Sequence, residues 1–334
     1  MAGIGARCAF VFPGQGSQAV GMGGDLAREF PVCRRTFEEA DDALGFAISR
    51  LCFEGPEPEL TLTANTQPAI LTVSVAVCRI VQVAGLRPAF AAGHSLGEYS
   101  ALVCAGVIAF ADAVRAVRLR GLAMQEAVPA GEGAMAAILG LAPEEVASVC
   151  REAAQGEVVS PANFNSPEQT VIAGRAGAVR RACELASERG AKRAIPLAVS
   201  APFHCALMRP AETRLAEHLA GVAFHEPALP VVANATAAPV ASGQAARDAL
   251  VRQVCSPVRW TESVLALRGL GAERFVEVGP GRVLSALVRR IEQEIEVAGV
   301  EDRKTLEATL GTFGLGVGPL ETARTAGPGA EGRA

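Results

Sequence analysis

The chain has 334 residues, half of them apolar, with nine cysteines, four histidines and a net charge of −4 at pH 7. This length exceeds one average domain and predicts a main domain with an insertion. The acidic balance argues against nucleic acid as the main partner, because phosphate binding requires a basic face. The cysteines and histidines are too scattered for a metal site, so we expect no metal.

No feature of the sequence predicts a membrane protein or an exported one. No apolar run approaches the roughly 18 residues that cross a bilayer. The first residues lack the long apolar stretch and the cleavage site of a signal peptide. The cysteines have mostly apolar neighbours and form no Cys-x-x-Cys pair. We therefore expect a soluble, cytoplasmic protein with reduced thiols.

The first element is an apolar run of strand length, Cys8–Phe12, followed by a glycine-rich loop. The loop glycines Gly14, Gly16 and Gly21 do not have the spacing of Gly-x-Gly-x-x-Gly, and no Gly-Lys-Ser/Thr follows. A nucleotide-binding loop is therefore disfavoured. The alternative is a loop whose backbone N–H groups face an active site.

Two helical stretches separate this loop from the next strand. Residues 31–53 are predicted to be helical, and a turn at Asn65–Pro68 is predicted to precede a long apolar helix that reaches about Val83. A strand at Pro88–Ala92 follows.

The pentapeptide Gly93-His-Ser-Leu-Gly97 lies between this strand and a helix predicted over Glu98–Val107. Small residues at both ends allow a turn sharp enough to expose the Ser95 hydroxyl at the carboxyl edge of a sheet. The N–H groups of the following helix would point towards it and stabilise a negatively charged oxygen. A catalytic serine and an ordinary strand-to-helix turn both fit this pattern.

The helix predicted over Phe110–Val128 carries an arginine in an unusual place. At 100° per residue, Arg120 lies about 60° from the centre of the apolar face, whereas Arg115 lies about 160° away. Arg120 is therefore predicted to be buried, and a buried guanidinium needs an anion. An internal salt bridge and a substrate carboxylate explain Arg120 equally well.

Residues 133–200 alternate between strand and helix patterns in the order βαββαβ. This order is typical of a ferredoxin-like unit inserted into a larger domain. We predict a discontinuous catalytic domain, a subdomain with the cleft at its junction, and a disordered tail. Their bounds are 1–132 with 201–310, then 133–200, and 311–334. The predicted elements of the insertion are strands at Ala134–Leu141, Val158–Ala162, Thr170–Ala173 and Arg193–Val199, and helices at Pro143–Ala154 and Ala178–Arg189.

A histidine follows the inserted unit and opens a predicted helix that ends near Leu219. The positive end of a helix dipole favours the neutral imidazole of His204, the form that a general base needs. His94 is expected to point away from Ser95, while His218 and His225 lie in polar surroundings. A surface helix cap remains an equal explanation of His204.

The rest of the chain offers no obvious acid for a triad. Strands predicted at Pro230–Asn234 and Arg274–Val278 return the chain to the main sheet. A Ser–His dyad oriented by a backbone carbonyl or an amide therefore fits better than the order of an α/β-hydrolase triad. The residues together suggest acyl transfer through an acyl-serine.

Five stretches, in order along the chain, resemble the malonyl-CoA:acyl carrier protein transacylases of bacterial fatty-acid synthesis. The resemblance covers about residues 6–295 and implies an α/β-hydrolase-like body, with a parallel-rich sheet, that carries an inserted ferredoxin-like subdomain. The five stretches are Phe10–Gln18, Gly93–Leu102, Asn163–Pro167, Phe203–Met208 and Val276–Gly281.

The same resemblance implies roles for individual residues. Ser95 would be the nucleophile and His204 its general base, and Arg120 would bind the malonyl carboxylate. The remaining roles fall to backbone groups and pocket residues. They are an oxyanion hole from the N–H groups of Gln15 and Leu96, orientation of His204 by the Gln253 carbonyl, and a pocket lined by Gln67, Asn163 and Asn165.

One position departs from the fatty-acid pattern. Many fatty-acid members have a smaller residue where this chain has Phe203, while polyketide-associated members that select malonyl often have Phe. In the family this residue favours malonyl over methylmalonyl units. Two alternatives stay open: a free-standing acyltransferase that serves a polyketide synthase, and a serine hydrolase that releases acyl groups to water, although the hydrolase does not explain Arg120. A non-catalytic carrier-binding module conflicts with the intact set of Ser95, His204 and Arg120.

The implied partners are malonyl-CoA and a phosphopantetheinylated acyl carrier protein, without a bound cofactor. We expect a monomer. An acidic carrier would dock on a basic patch, for which the sequence offers three candidates or, equally, solvated charge pairs: Arg180-Arg181, Lys192-Arg193 and Arg289-Arg290.

Overall fold

The structure is a computed structural model that describes residues 7–199 and 201–318. Its strands form one sheet of six and one of four. The strands are β1 (Cys8–Phe12), β2 (Phe90–Gly93), β3 (Gly133–Leu139), β4 (Val159–Ser166), β5 (Gln169–Arg175), β6 (Arg193–Pro196), β7 (Val231–Ala233), β8 (Ala238–Pro239), β9 (Arg274–Val278) and β10 (Glu296–Val300).

Helices cover both sheets and connect their strands. A single 3-10 turn, Ala206–Met208, precedes α10. The α-helices are α1 (Gly24–Glu29), α2 (Pro31–Leu44), α3 (Ile48–Glu54), α4 (Glu57–Thr61), α5 (Thr63–Val83), α6 (Gly97–Cys104), α7 (Phe110–Glu126), α8 (Pro143–Ala154), α9 (Ala176–Glu188), α10 (Arg209–Leu219), α11 (Gly243–Gln253), α12 (Trp260–Gly269), α13 (Val283–Ile291) and α14 (Arg303–Thr312).

The six-stranded sheet has the order β10-β9-β1-β2-β7-β8, and its first five strands pair in parallel. All five residues of β1 are buried, as expected for the middle of a parallel sheet covered by helices on both faces. The short strand β8 pairs antiparallel with β7 at the edge. The carboxyl ends of β1, β2 and β7 therefore meet at one edge of the sheet.

The four-stranded sheet has the order β4-β5-β3-β6 and is antiparallel. Helices α8 and α9 pack on it around a separate apolar core. The predicted combination of a parallel-rich main sheet and an inserted βαββαβ unit is confirmed. The exact domain boundaries stay a prediction.

One backbone bridge joins the small sheet to the main body. Val258 donates its N–H to the Ala162 carbonyl (2.8 Å) and accepts a hydrogen bond from the Phe164 N–H (2.9 Å). Asn163, the one residue of β4 between these two bonds, pairs with Val258 in the loop that precedes α12. This contact fixes one wall of the cleft between the two sheets.

The long helix α5 corrects two expectations. The predicted turn at Asn65–Pro68 lies inside α5, which begins at Thr63 and contains Pro68. By length and composition α5 could also cross a membrane, although no apolar run of that length was expected, but 83% of its apolar window is buried inside the protein. It is the central core helix of the main body, packed against α2 and α7.

The start of the predicted disordered tail is also corrected. Gly311 and Thr312 are the last residues of α14, and Phe313 and Leu315 pack against the main core. The tail from residue 319 onwards lies outside the described residues.

Candidate active site

The turn between β2 and α6, residues 93–97, holds Ser95 at the carboxyl edge of the main sheet. Ser95 has φ 51°, a left-handed conformation that is uncommon for a residue with a side chain. A Cβ atom at Gly93 would lie 1.9 Å from the Gly97 carbonyl, and one at Gly97 would lie 2.0 Å from the Phe12 carbonyl oxygen. Only glycine fits at these two positions, so the strained turn depends on both.

Asn234, which directly follows β7, supports this turn from the neighbouring strand. Its Oδ1 accepts a hydrogen bond from the Ser95 N–H (2.7 Å), and its Nδ2 donates to the Gly93 carbonyl (2.6 Å). Asn234 is fully buried. Both bonds hold the backbone that positions the Ser95 hydroxyl.

His204 faces Ser95 from the segment that precedes α10. Its Nε2 lies 2.7 Å from Ser95 Oγ, and its Nδ1 lies 2.9 Å from the Gln253 carbonyl oxygen. A carbonyl can only accept, so the proton belongs on Nδ1, and Nε2 is free to accept the Ser95 hydroxyl proton. The predicted helix starts later than expected, because His204 itself has φ 59° and a 3-10 turn separates it from α10.

Burial keeps His204 neutral. Desolvation and, second, the nearby Arg120 cation lower its pKa from 6.5 to about 3. At neutral pH the imidazole therefore carries no charge and can act as a base.

Arg120 on α7 reaches the same point from the opposite side. It is 2% exposed, while Arg115 on the same helix is exposed, as the helical period predicted. Its Nη2 donates to Ser95 Oγ (3.1 Å) and to Gln253 Oε1 (2.9 Å), and its Nη1 donates to Gln67 Oε1 (2.7 Å). No direct ion pair between Arg120 and a carboxylate occurs among the described residues, and its Nε has no hydrogen-bond partner there.

Gln253, at the end of α11, links these groups through its side chain as well as its carbonyl. Its Nε2 donates to the Ser95 carbonyl (3.0 Å) and to Glu98 Oε2 (2.7 Å). Glu98 lies in the first turn of α6, is 1% exposed, and also accepts the Asn234 N–H on Oε2 (2.9 Å). Burial raises the pKa of the Glu98 carboxyl from 4.5 to about 7.

Ser95, His204 and Arg120 line a cavity of about 130 Å³ between the two sheets. The backbone N–H groups of Gln15 and Leu96 belong to residues that line it. Within residues 7–199 and 201–318, neither N–H donates to another protein group. The cavity thus combines a serine, a neutral histidine, an arginine and two free N–H donors. These groups together can catalyse transfer of an acyl group that carries a carboxylate.

Comparison with known proteins agrees with this geometry. The profile of the acyl transferase domain matches residues 9–314. The malonyl CoA-acyl carrier protein transacylase of Escherichia coli K12 is 54% identical over 303 residues, which cover 90% of this chain and 98% of that protein. The chain belongs to the malonyl-CoA–acyl carrier protein transacylase family.

Two solved structures show the same fold. The acyl carrier protein S-malonyltransferase of Vibrio cholerae is 53% identical and superposes with a TM-score of 0.89, over 91% of this chain and 99% of that one. A malonyl-transacylase in complex with a type II polyketide synthase acyl-carrier protein is also 53% identical, with a TM-score of 0.89 over 92% and 99% of the two chains. The α/β-hydrolase-like body with its ferredoxin-like subdomain is therefore the transacylase fold.

Most of the residues predicted for the transacylase pocket lie around this cavity. Gln67, Asn163 and Phe203 line it, together with residues that the sequence did not single out. Those additional lining residues are Met124, Met135, Leu197 and Val199.

Asn165 differs from expectation, because it does not line the cavity, and its Oδ1 lies 2.8 Å from His94 Nε2. His94 lies beside the cavity, where its ring also packs near the Trp260 ring (5.7 Å between centroids). Among the described residues His94 forms no hydrogen bond with Ser95 Oγ, which agrees with the expectation that it points away from the serine.

Glu98 and Asn234 are the site residues that sequence reasoning missed. Each is buried and polar, and each contacts residues more than 130 positions away. A charged residue in the first turn of an otherwise apolar helix was the one available signal for Glu98. Asn234 gave none, because an asparagine after a short strand is an ordinary turn residue.

Proposed function

We propose that this protein transfers the malonyl group of malonyl-CoA to the phosphopantetheine thiol of an acyl carrier protein, through a malonyl ester of Ser95. The observation that carries the proposal is the position of Ser95 Oγ, 2.7 Å from His204 Nε2 and 3.1 Å from Arg120 Nη2. A base activates the serine while a buried guanidinium stands beside it, without an ion pair to a described carboxylate. An acyl group that ends in a carboxylate fits this arrangement.

In the first half-reaction His204 Nε2 takes the Ser95 proton and Ser95 Oγ attacks the malonyl thioester carbonyl. The N–H groups of Gln15 and Leu96 stabilise the oxyanion, and the Gln253 carbonyl holds the Nδ1 proton of the imidazolium that forms. Arg120 binds the malonyl carboxylate through a bidentate pair. The thiolate of coenzyme A then leaves and takes its proton from His204.

In the second half-reaction the carrier's phosphopantetheine thiol enters the cavity that coenzyme A has left. His204 takes its proton, the thiolate attacks the malonyl-serine, and Ser95 recovers its proton from His204. Malonyl-CoA and the carrier thiol react in turn at the same serine, with the same base and the same oxyanion donors, so ping-pong kinetics follow.

Gln67, Asn163 and Phe203 would bound the malonyl group, and Asn165 would act only through His94. The place of Phe203 on the cavity wall supports selection of malonyl over a branched methylmalonyl unit. The family's fatty-acid members support a role in fatty-acid chain extension. The polyketide alternative draws on one observation, namely the relative solved with a type II polyketide synthase carrier.

We further propose a cytoplasmic monomer that docks an acidic carrier. The described cysteines are all free thiols. Among the predicted basic pairs, Arg181 and Lys192 already form ion pairs with Glu157 and Glu168. Arg289 and Arg290 instead donate to the Val297 carbonyl and to Gln169, and they form no ion pair within the described part of the chain, which makes this pair the best candidate.

The experiment that tests the function is intact-protein mass spectrometry after brief mixing with malonyl-CoA. We expect a malonyl adduct on the wild-type protein and none on the Ser95→Ala variant. Addition of phosphopantetheinylated carrier should move the adduct to the carrier, and fatty-acid and polyketide carriers can be compared directly. An adduct that drains to free malonate at the same rate with and without carrier would establish the hydrolase instead.

A further inference from the structure

Arg120 poses a charge problem that its direct contacts do not solve. Its guanidinium is 2% exposed, and its hydrogen-bond partners among the described residues are the neutral side chains of Gln67, Ser95 and Gln253. A buried cation without a counter-charge costs several kcal/mol. The compensating charge must therefore lie beyond the first ring of contacts.

The Gln253 amide connects Arg120 to a carboxylate. Arg120 Nη2 donates to Gln253 Oε1 (2.9 Å), and Gln253 Nε2 donates to Glu98 Oε2 (2.7 Å). A guanidinium can only donate and an ionised carboxylate can only accept, so this amide has one workable orientation. Glu98 is thus linked to Arg120 through a single amide.

The two oxygens of Glu98 are not equivalent. Oε2 accepts hydrogen bonds from Gln253 Nε2 and from the Asn234 N–H, whereas Oε1 is buried and has no partner among the described residues. Oε1 therefore offers a position for a proton that breaks no existing hydrogen bond.

We propose that Glu98 is the counter-charge of Arg120 in the free enzyme, and that it takes up a proton from solvent when a substrate carboxylate binds Arg120. Glu98 acts through Gln253 and does not contact the substrate, so it is a positioning residue. The proposal rests on the proposed function, since it requires the malonyl carboxylate to bind Arg120.

The physical reason is competition between two carboxylates for one guanidinium. Ionised Glu98 balances Arg120 before binding, and the malonyl carboxylate brings a second negative charge into the same buried site. Like charges raise each other's proton affinity, so Glu98 becomes a neutral acid with its proton on Oε1. Each enzyme molecule in which Glu98 is ionised takes up one proton when the malonyl group binds, and no other covalent bond changes.

The other groups around Glu98 leave it as the group that titrates near neutral pH. Tyr99, beside it on α6, has its pKa raised by burial, and Arg120 on α7 stays charged. His204 is already neutral, and the contacts from α11 and from the end of β7 are the neutral side chain of Gln253 and the backbone of Asn234. Burial places the pKa of Glu98 at about 7 before substrate binds.

The test compares binding of malonyl-CoA and acetyl-CoA to Ser95→Ala and to Ser95→Ala/Glu98→Gln between pH 6 and pH 8. For Ser95→Ala we expect the ratio of the malonyl-CoA Kd to the acetyl-CoA Kd to rise by about tenfold from pH 6 to pH 8. Because both ligands carry the same coenzyme A group, the ratio removes any effect of its titration. With Glu98→Gln the ratio should be independent of pH and favour malonyl-CoA as strongly at pH 8 as at pH 6. A purely structural role of Glu98 would weaken binding of both ligands instead, and that result would overturn the proposal.

A second measurement does not depend on the folding of Glu98→Gln. Calorimetric titration of Ser95→Ala at pH 7, in two buffers of different ionisation enthalpy, counts protons taken up on binding. We expect more uptake with malonyl-CoA than with acetyl-CoA, and equal uptake would refute the role of Glu98. If malonyl-CoA binds no better than acetyl-CoA at any pH, the assignment of Arg120 itself fails, which separates this failure from failure of the Glu98 proposal alone.

Discussion

At the scale of single residues, Arg120 shows how far a periodic pattern reaches. The helical angle placed it beside an apolar face, and the side chain is buried there. The pattern could not choose between an internal salt bridge and a substrate carboxylate. The structure disfavours a direct internal salt bridge, because the described hydrogen-bond partners of Arg120 are neutral. The nearest carboxylate linked to it, Glu98, is reached only through the Gln253 amide.

Replacing this arginine should change acyl selectivity. In Arg120→Ala we expect kcat/KM for malonyl-CoA to fall by about 10- to 100-fold, since a hydrogen-bonded charge contributes about 1.5–3 kcal/mol. Transfer of acetyl groups should rise relative to malonyl. The matched control is Arg115→Ala, which removes an exposed arginine from the same helix and should leave the ratio of the two rates unchanged. An unaltered ratio in Arg120→Ala would reject the assignment.

The buried histidine makes stability depend on pH in a defined direction. The folded pKa of His204 is about 3 against 6.5 ordinarily. Between these values the unfolded chain holds a proton that the folded protein lacks, so the free energy of unfolding decreases as the pH falls from about 6.5 to 3. Above 6.5 this contribution is constant.

Denaturant unfolding of the unmodified protein and of His204→Gln, at pH 4.5 to 8, isolates this effect. On acidification, the unfolding free energy of the wild-type protein should decrease relative to that of His204→Gln, by at most about 1.4 kcal/mol per pH unit. Glu98 acts in the opposite direction, because its folded pKa is raised from 4.5 to about 7 and stability falls as the pH rises through that window. Both proteins contain Glu98, so its contribution cancels when their unfolding free energies are subtracted. A difference that does not change with pH would contradict a neutral, buried His204.

At the scale of elements, the segments with the clearest apolar pattern gave the most accurate bounds. The strands β1 and β9 have the predicted bounds, and α8 does as well. The edge strand β10 was missed because only one of its five residues is fully buried, and its sequence therefore lacks the apolar pattern of a core strand. The turn predicted at Pro68 was wrong because tertiary burial of α5 outweighs the one backbone N–H that proline lacks.

The turn at Ser95 should tolerate no side chain at its second glycine. In Gly97→Ala the new methyl group would meet the Phe12 carbonyl, so we expect a loss of about 1–3 kcal/mol or more in unfolding free energy and a matching loss of acylation. Gly269→Ala is the control, because it adds a methyl group at the end of α12 where no atom lies within 4 Å. Thermal unfolding should show the control unchanged or stabilised, and equal effects in both variants would mean that the turn has more room than the structure shows.

At the scale of the whole molecule, the order of the elements predicted the architecture, while long-range polar contacts stayed hidden. The βαββαβ pattern of residues 133–200 sufficed to predict an inserted antiparallel sheet. The hydrogen bonds of Glu98 to Asn234 and Gln253 span 136 and 155 positions. A single sequence carries no information about such pairs until the sheet order brings β7 and α11 to the end of β2.

The bridge between Val258 and β4 has a consequence for how the enzyme discriminates among acyl groups. Main-chain hydrogen bonds connect Ala162 and Phe164 to the main body. We therefore expect the cavity wall that carries Asn163 to be rigid. We expect larger acyl groups to gain room instead where the side chains of Phe203 and Leu197 line the cavity. Substrate range should then depend on the bulk of a few replaceable side chains, and it can change while the scaffold stays the same.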